Sequence, residues 1–163
     1  MKSSIDVLRE FELFSALSDM ELRKIHFVTK EITAKKGDVI ITENVPSDSL
    51  FIIKRGCVRI THEGKLLVLI GEGNPIGELS FIDKGLPSAT GTADEETGLL
   101  KIPSAAFDDL MSRNPELASK VFRSMALNLC QKLRDTNEWL ATRIWLSDIE
   151  KEAQEHLKNL PRL

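Results

Sequence analysis

Between Gly77 and Thr90 the chain reads GELSFIDKGLPSAT, a run whose residue types suit a sugar-phosphate. Gly77 lets a ligand approach the backbone, and a short helical turn starting there would aim the amides of Glu78, Leu79 and Ser80 at an anion. The Glu78 carboxylate accepts hydrogen bonds and repels anions, so it suits a sugar hydroxyl rather than a phosphate. Ser88 and Thr90 add hydroxyls beside Pro87 and Ala89. The run contains no arginine, and its single cation, Lys84, would have to swing over the site to serve. Taken alone, Gly-Glu is equally well explained by a turn glycine beside a surface glutamate.

Other chemistry is sparse. His26, His62 and His156 lie far apart, without a cysteine or carboxylate at metal-ligand spacing, and no serine sits in a nucleophile elbow. Neither a catalytic residue nor a metal site is expected. Cys57 and Cys130 have no CxxC spacing and read as packing thiols, since a free cysteine behaves as a small hydrophobe. A net charge of −3 argues against nonspecific nucleic-acid binding, which needs a basic face. Acidic residues interrupt the N-terminal apolar run, and nothing approaches the ~20 apolar residues of a membrane span. No membrane association and a reducing, cytoplasmic compartment are therefore the expectation.

The elements that would position the 77–90 run come in three blocks: helices over 1–28, a β-rich region with the run and a following helix over 29–112, and a helical segment over 113–163. In the first, Val7, Leu8, Phe11, Phe14, Leu17, Leu22, Ile25 and Phe27 recur at helical spacing, and Ser18 with Glu21 forms a capping box. Two helices joined near Ser15 are predicted. The second block offers strands at 27–33, 38–42, 50–55, 57–62, 66–70, 89–95 and 97–102, separated by Gly and Pro turns. Many short strands at this spacing suggest a jelly roll or small barrel, interrupted only over 78–83.

After Pro103 the helical period returns. Ser104 is expected to cap one helix through Met111, and Asn114-Pro115 to start a second. On this second helix Leu117, Val121, Met125, Leu129 and Leu133 recur every four residues, and Leu140 and Ile144 continue nearby. Its first two turns are expected to pack on the β domain. The later ones outrun a domain of this size, which predicts a homodimer through the helix from Pro115. A second capping box, Ser147 with Glu150, predicts a break near Leu146 and a last helix to Leu160, ended by Pro161.

The order of these features, KKGDVIITEN, SLFIIKRGCVRI, GEGNPIGELSFI, PSAT and then NPELASKVFRSMALNLCQKLRDTNEWL, resembles the cyclic nucleotide-binding domain family over residues 10 to 145. Gly37, Gly56, Gly73 and Gly77 fall at the family's turn positions in the right order and spacing, and within the family the bacterial branch containing the catabolite activator protein is most similar. The resemblance implies a mainly β fold, an eight-stranded double-stranded β-helix (jelly roll) flanked by helices and followed by a long C-terminal helix. It also implies a ligand, cyclic AMP or cyclic GMP, with no other cofactor. Gly77 and Glu78 match the family's ribose-binding pair, with Leu79 and Ser80 supplying amides. Ser88 and Ala89 match the small residues after the phosphate-binding arginine, whose own place falls on Pro87, or on Ser88 if the gap moves by one. Register along the long helix brings Asn128, Lys132, Leu133 and Thr136 to the pocket mouth.

Two departures stand out. The arginine is absent, and Ser147 to Leu163 cannot form a helix-turn-helix with a recognition helix, so direct DNA binding is not expected. The first expectation is a dimeric cyclic-nucleotide sensor that signals to an unidentified protein partner through its C-terminal helices. The alternative is a degenerate domain, kept as an interaction or dimerisation scaffold, that binds no nucleotide. A third is a transcription regulator acting through a partner's DNA-reading domain.

Overall fold

A computed structural model describes residues 4–158. The chain divides into two compact units, one through Met125 and one from Ala126. The first opens with α1 (Ser4–Glu10), a 3₁₀ turn (Glu12–Phe14) and α2 (Asp19–Val28). Eight strands come next: β1 (Lys30–Ala34), β2 (Val39–Ile41), β3 (Ser49–Arg55), β4 (Val58–His62), β5 (Lys65–Ile70), β6 (Pro75–Ile76), β7 (Thr90–Ala93) and β8 (Thr97–Pro103). Between β6 and β7 lies α3 (Glu78–Asp83), and α4 (Ser104–Arg113) precedes α5 (Pro115–Lys158).

The strands form two antiparallel four-stranded sheets, ordered β1-β8-β3-β6 and β2-β7-β4-β5. Alternation along β3 explains how the sheets and helices share one strand. Phe51 and Ile53 point between the sheets, where they meet Ile41, Val58, Ile76, Ala93 and Leu99. Leu50 and Ile52 point the other way and join Phe14, Leu22, Ile25, Phe107, Leu117, Val121 and Met125 in a second core under the helices. A strand buried on both faces reads as a continuous apolar run, and LFII, residues 50–53, is one.

Several boundaries differ from the sequence expectation. The strand placed at 27–33 begins only at Lys30, because α2 runs to Val28. Thr29 ends that helix, its N–H donating to the His26 carbonyl and its Oγ1 to Ile25 O at 2.7 Å. Phe27 stays on the exposed face of α2. Strand β6 has two residues, too few to show alternation, and exists through its pairing with Phe51 and Ile52. Ser104 does not cap α4, since Pro103 holds that position with no side-chain cap, and the Ser104 hydroxyl accepts from Lys84 Nζ instead. Asn114 turns its side chain back onto α4, Nδ2 donating to Leu110 O at 2.8 Å, while its carbonyl accepts from the Ala118 N–H.

The break expected near Leu146 is absent. Helix α5 continues to Lys158, with no Gly or Pro between Pro115 and that residue, and a mid-helix serine is only mildly unfavourable. The side chains of Val7 and Ile144, and the helix end expected at Leu160 and Pro161, lie outside the described residues.

The Ser18–Glu21 capping box is present: the Ser18 N–H donates to Glu21 Oε2 at 2.8 Å and the Glu21 N–H to Ser18 Oγ. Lys120 of α5 also donates to Glu21 Oε1 at 2.9 Å. That hydrogen bond, ahead of those from Ser18, holds the Glu21 carboxyl down at about 2, against an ordinary 4.5. A carboxyl whose folded-state pKa is depressed contributes stability above its unfolded value and loses it as pH falls through the folded one. The wild type is therefore expected to exceed Glu21→Gln in stability at pH 7 by about 1 kcal/mol, because solvent screening at the surface leaves only part of the 1.36 kcal/mol per pKa unit. Urea unfolding at a series of pH values should show the gap closing between about 4.5 and 2.

Candidate functional site

Gly77 caps the short helix α3 in the left-handed region, at φ 79°. A Cβ there would lie 2.6 Å from Ile41 Cδ1, the movable end of a side chain, so it is the backbone conformation that calls for glycine. The turn delivers Glu78 to a buried position, 9% exposed, from a peptide that opens a helix. A buried carboxylate needs a compensating interaction, and Glu78 has one within the fold. Ser80 is buried with its Oγ donating to Gly77 O at 3.2 Å, which ties off the turn. The Leu79 side chain is exposed, so only its amide suits a ligand role.

At the other end of the run, Pro87 is buried and Ser88 exposed, while Ala89 and Thr90 are half-buried. These four residues lead into β7 and are held from outside the run. The Asn44 N–H donates to Pro87 O at 3.0 Å, and the Glu43 N–H to Thr90 Oγ1 at 3.0 Å. His62 Nδ1 lies 3.0 Å from Ser88 O and 2.7 Å from Glu43 Oε1. Sequence reasoning does not place Asn44, Glu43 or His62 in this region. Glu43 and Thr90 are 47 positions apart, and only the pairing of β2 and β4 with β7 brings them near.

Lys84 does not take the place of the missing cation. Its Nζ donates to Ser104 Oγ at 2.6 Å and Asp108 Oδ2 at 2.9 Å, and lies 5.2 Å from the Phe81 ring centroid. An ammonium held by a carboxylate, a hydroxyl and a ring face on α3 and α4 has reason to stay there. The seat of the run is thus Gly77, Glu78 and Ser80 at one end and residues 87–90 at the other, all within the first unit.

Asn128 and Lys132 belong to the second unit. Asn128 is buried, and its Oδ1 has no hydrogen-bond partner, an arrangement that usually costs free energy. Lys132 is half-buried and engaged. Leu133 is exposed, and Thr136 Oγ1 donates to Lys132 O within the helix.

Of the remaining reactive side chains, Cys57 is half-buried, and burial first, then Asp94 and Glu95, raises its thiol pKa. It is accordingly a poor nucleophile at neutral pH. No group of three or more His, Cys, Asp or Glu suited to a metal ion occurs among the described residues. No helix among them is long and apolar enough to cross a membrane. His156 has no described side chain.

Comparison with known proteins bears on the same segment. Residues 31–114 match the model of the "Cyclic nucleotide-binding domain". The N-terminal domain of a transcriptional regulator from Streptomyces coelicolor A3(2) is 32% identical, with a TM-score of 0.67 over 81% of this chain and 95% of that one. The Thermus thermophilus catabolite activator protein is 28% identical, with a TM-score of 0.68 over 80% of this chain and 62% of that one. The CRP-like cAMP-activated global transcriptional regulator of Mycobacterium tuberculosis (strain ATCC 25618 / H37Rv) is 24% identical over 86% of this chain and 63% of its own length. Other curated relatives, some of them enzymes, are far longer, and the chain spans from 8% to 20% of their length. With the glycine turns, strands β2 to β8 and the Gly77–Glu78 corner all falling inside the matched segment, the chain belongs to the cyclic nucleotide-binding domain family and shares the layout of its catabolite activator branch.

Proposed function

We propose that the chain binds a cyclic nucleotide, cyclic AMP or cyclic GMP, and acts as a regulatory module that reports occupancy to a protein partner through α5. The observation that carries this reading is Glu78, a carboxylate buried directly after a glycine whose left-handed backbone conformation L side chains rarely adopt. A buried acceptor opening a helix is suited to a ribose hydroxyl, and the amides of Leu79 and Ser80 to a neighbouring anion. Residues 87–90 would face the cyclic phosphate without an arginine.

Dimerisation through α5 belongs to the same proposal. Leu133, Trp139, Leu140 and Trp145 are exposed on that helix, and Leu133 and Leu140 are one heptad apart. The buried Leu117, Val121 and Met125 show that its first turns serve the domain's own core.

Calorimetric titration with cyclic AMP and cyclic GMP up to millimolar concentration tests the reading, with sedimentation run on the same samples. Saturable heat and a dimer are expected. Absence of heat and of any thermal shift with both nucleotides would overturn it. One observation favours the alternative, a scaffold that binds no nucleotide: the arginine's place holds Pro87, which is buried and has no N–H to give. A crystal structure with cyclic AMP present separates the two, since the alternative expects a protein side chain where the nucleotide would lie.

A further inference from the structure

We infer that Glu43 and His62 are positioning residues that clamp the phosphate end of the cassette, residues 87–90, in the conformation an anion requires. The inference rests on the cyclic-nucleotide reading above and names what replaces the arginine's organising role.

Each partner in the clamp can be assigned its hydrogen. Glu43 Oε1, 2.7 Å from His62 Nδ1, and Ser88 O, 3.0 Å from it, are both acceptors, so Nδ1 carries the proton and shares it between them. The second carboxylate oxygen of Glu43 accepts from the Glu63 N–H at 3.0 Å. The carboxylate is therefore held from two sides, and its side chain is only 15% exposed. Glu43 also gives its backbone N–H to Thr90 Oγ1, which leaves the Thr90 hydroxyl proton free of that contact and able to be donated elsewhere. Its neighbour Asn44 gives an N–H to Pro87 O. Three of the four positions from 87 to 90 are thus fixed by groups from two other segments of the sheet.

The missing charge is what makes such a clamp necessary. A guanidinium attracts a phosphate over several ångströms and tolerates small misplacement, whereas neutral N–H and O–H donors work only when already aimed. Without the arginine, binding by the donors of residues 88–90 depends on the loop being held before the ligand arrives. Pro87 contributes its fixed φ, and the clamp fixes Ser88 and Thr90 beyond it. Asparagine at position 62 would place a side-chain N–H at the same number of bonds from Cα as His Nδ1, so it is the conservative replacement.

The test uses the full chain as wild type, His62→Ala, His62→Asn and Glu43→Gln. Hydrogen exchange of peptides spanning 86–92 is measured without ligand, and cyclic AMP is titrated into each protein. For His62→Ala, exchange in this segment is expected to rise about tenfold, with peptides from α4 unchanged, and affinity to fall about tenfold. His62→Asn should recover most of both, and Glu43→Gln should fall between. Affinity in His62→Ala equal to wild type overturns the clamp while leaving the nucleotide reading intact, as does failure of the asparagine to restore what alanine loses. A wild type that takes up neither cyclic AMP nor, in a parallel titration, cyclic GMP overturns the nucleotide reading and the inference with it.

Discussion

Phe107→Ala is expected to destabilise the protein by about 3–5 kcal/mol, the range for truncating a buried phenylalanine. Phe107 is 1% exposed and stands where three helices meet. Its ring lies 4.9 Å from that of Phe81 on α3 and 6.1 Å from that of Phe122 in the first turns of α5, both edge to face. Such pairs add about 0.5–1.5 kcal/mol beyond the area they bury. Against a typical total stability of about 5–15 kcal/mol the loss is a large share.

Urea unfolding of Phe107→Ala and Phe107→Leu measures it. Leucine keeps most of the volume and should recover well over half of the loss. A cost below about 1 kcal/mol for alanine, well under the usual range, would show that the helices repack around the cavity. Because Phe81 belongs to the cassette helix, the alanine variant should also expose residues 78–83 to faster amide exchange than leucine does. Core packing is in this way tied to the seat of Glu78.

The second expectation concerns the absent cation. Placing an arginine at Pro87, or at Ser88, should raise affinity for cyclic AMP ten- to a hundredfold. A charge-assisted hydrogen bond contributes about 1.5–3 kcal/mol, and each 1.4 kcal/mol is a decade in the dissociation constant. The hydrogen bond from Asn44 to the Pro87 carbonyl survives any substitution, but Pro87 is buried, so an arginine there has to displace its ring. Ser88 is exposed, so its replacement leaves the core untouched.

The gain should shrink as salt rises from about 0.05 to 0.5 M, because the Debye length falls over that range. Titrations of both variants at two ionic strengths check this. If both fold and neither gains, the phosphate does not lie at this end of the cassette. A gain for only one of them would decide which position occupies the arginine's place.

Most of the elements are legible in the residues because their determinants are local. The Ser18–Glu21 cap, the glycine turns and the apolar run of β3 are each written within a few positions. Gly77 and Glu78 are legible for the same reason, since a left-handed cap and the helix it opens are adjacent in sequence. Expectation and structure part where a local pattern has two solutions. Ser147 and Glu150 match a helix start but sit equally well inside a helix, and with no Gly or Pro nearby α5 runs on. Ser104 has the chemistry of a cap, but Lys84, twenty residues away, claims its hydroxyl.

By itself the sequence determined the family layout, the sugar end of the cassette at Gly77 and Glu78, and the absence of an arginine at its phosphate end. Only the tertiary structure decided what surrounds that gap: Lys84 is drawn away to Asp108, and Glu43 and His62 are brought to Ser88 and Thr90. The reason is the range of the forces involved. Turn and helix chemistry is set between near neighbours, whereas partners 26 and 47 positions apart meet only after β2, β7 and β4 have paired.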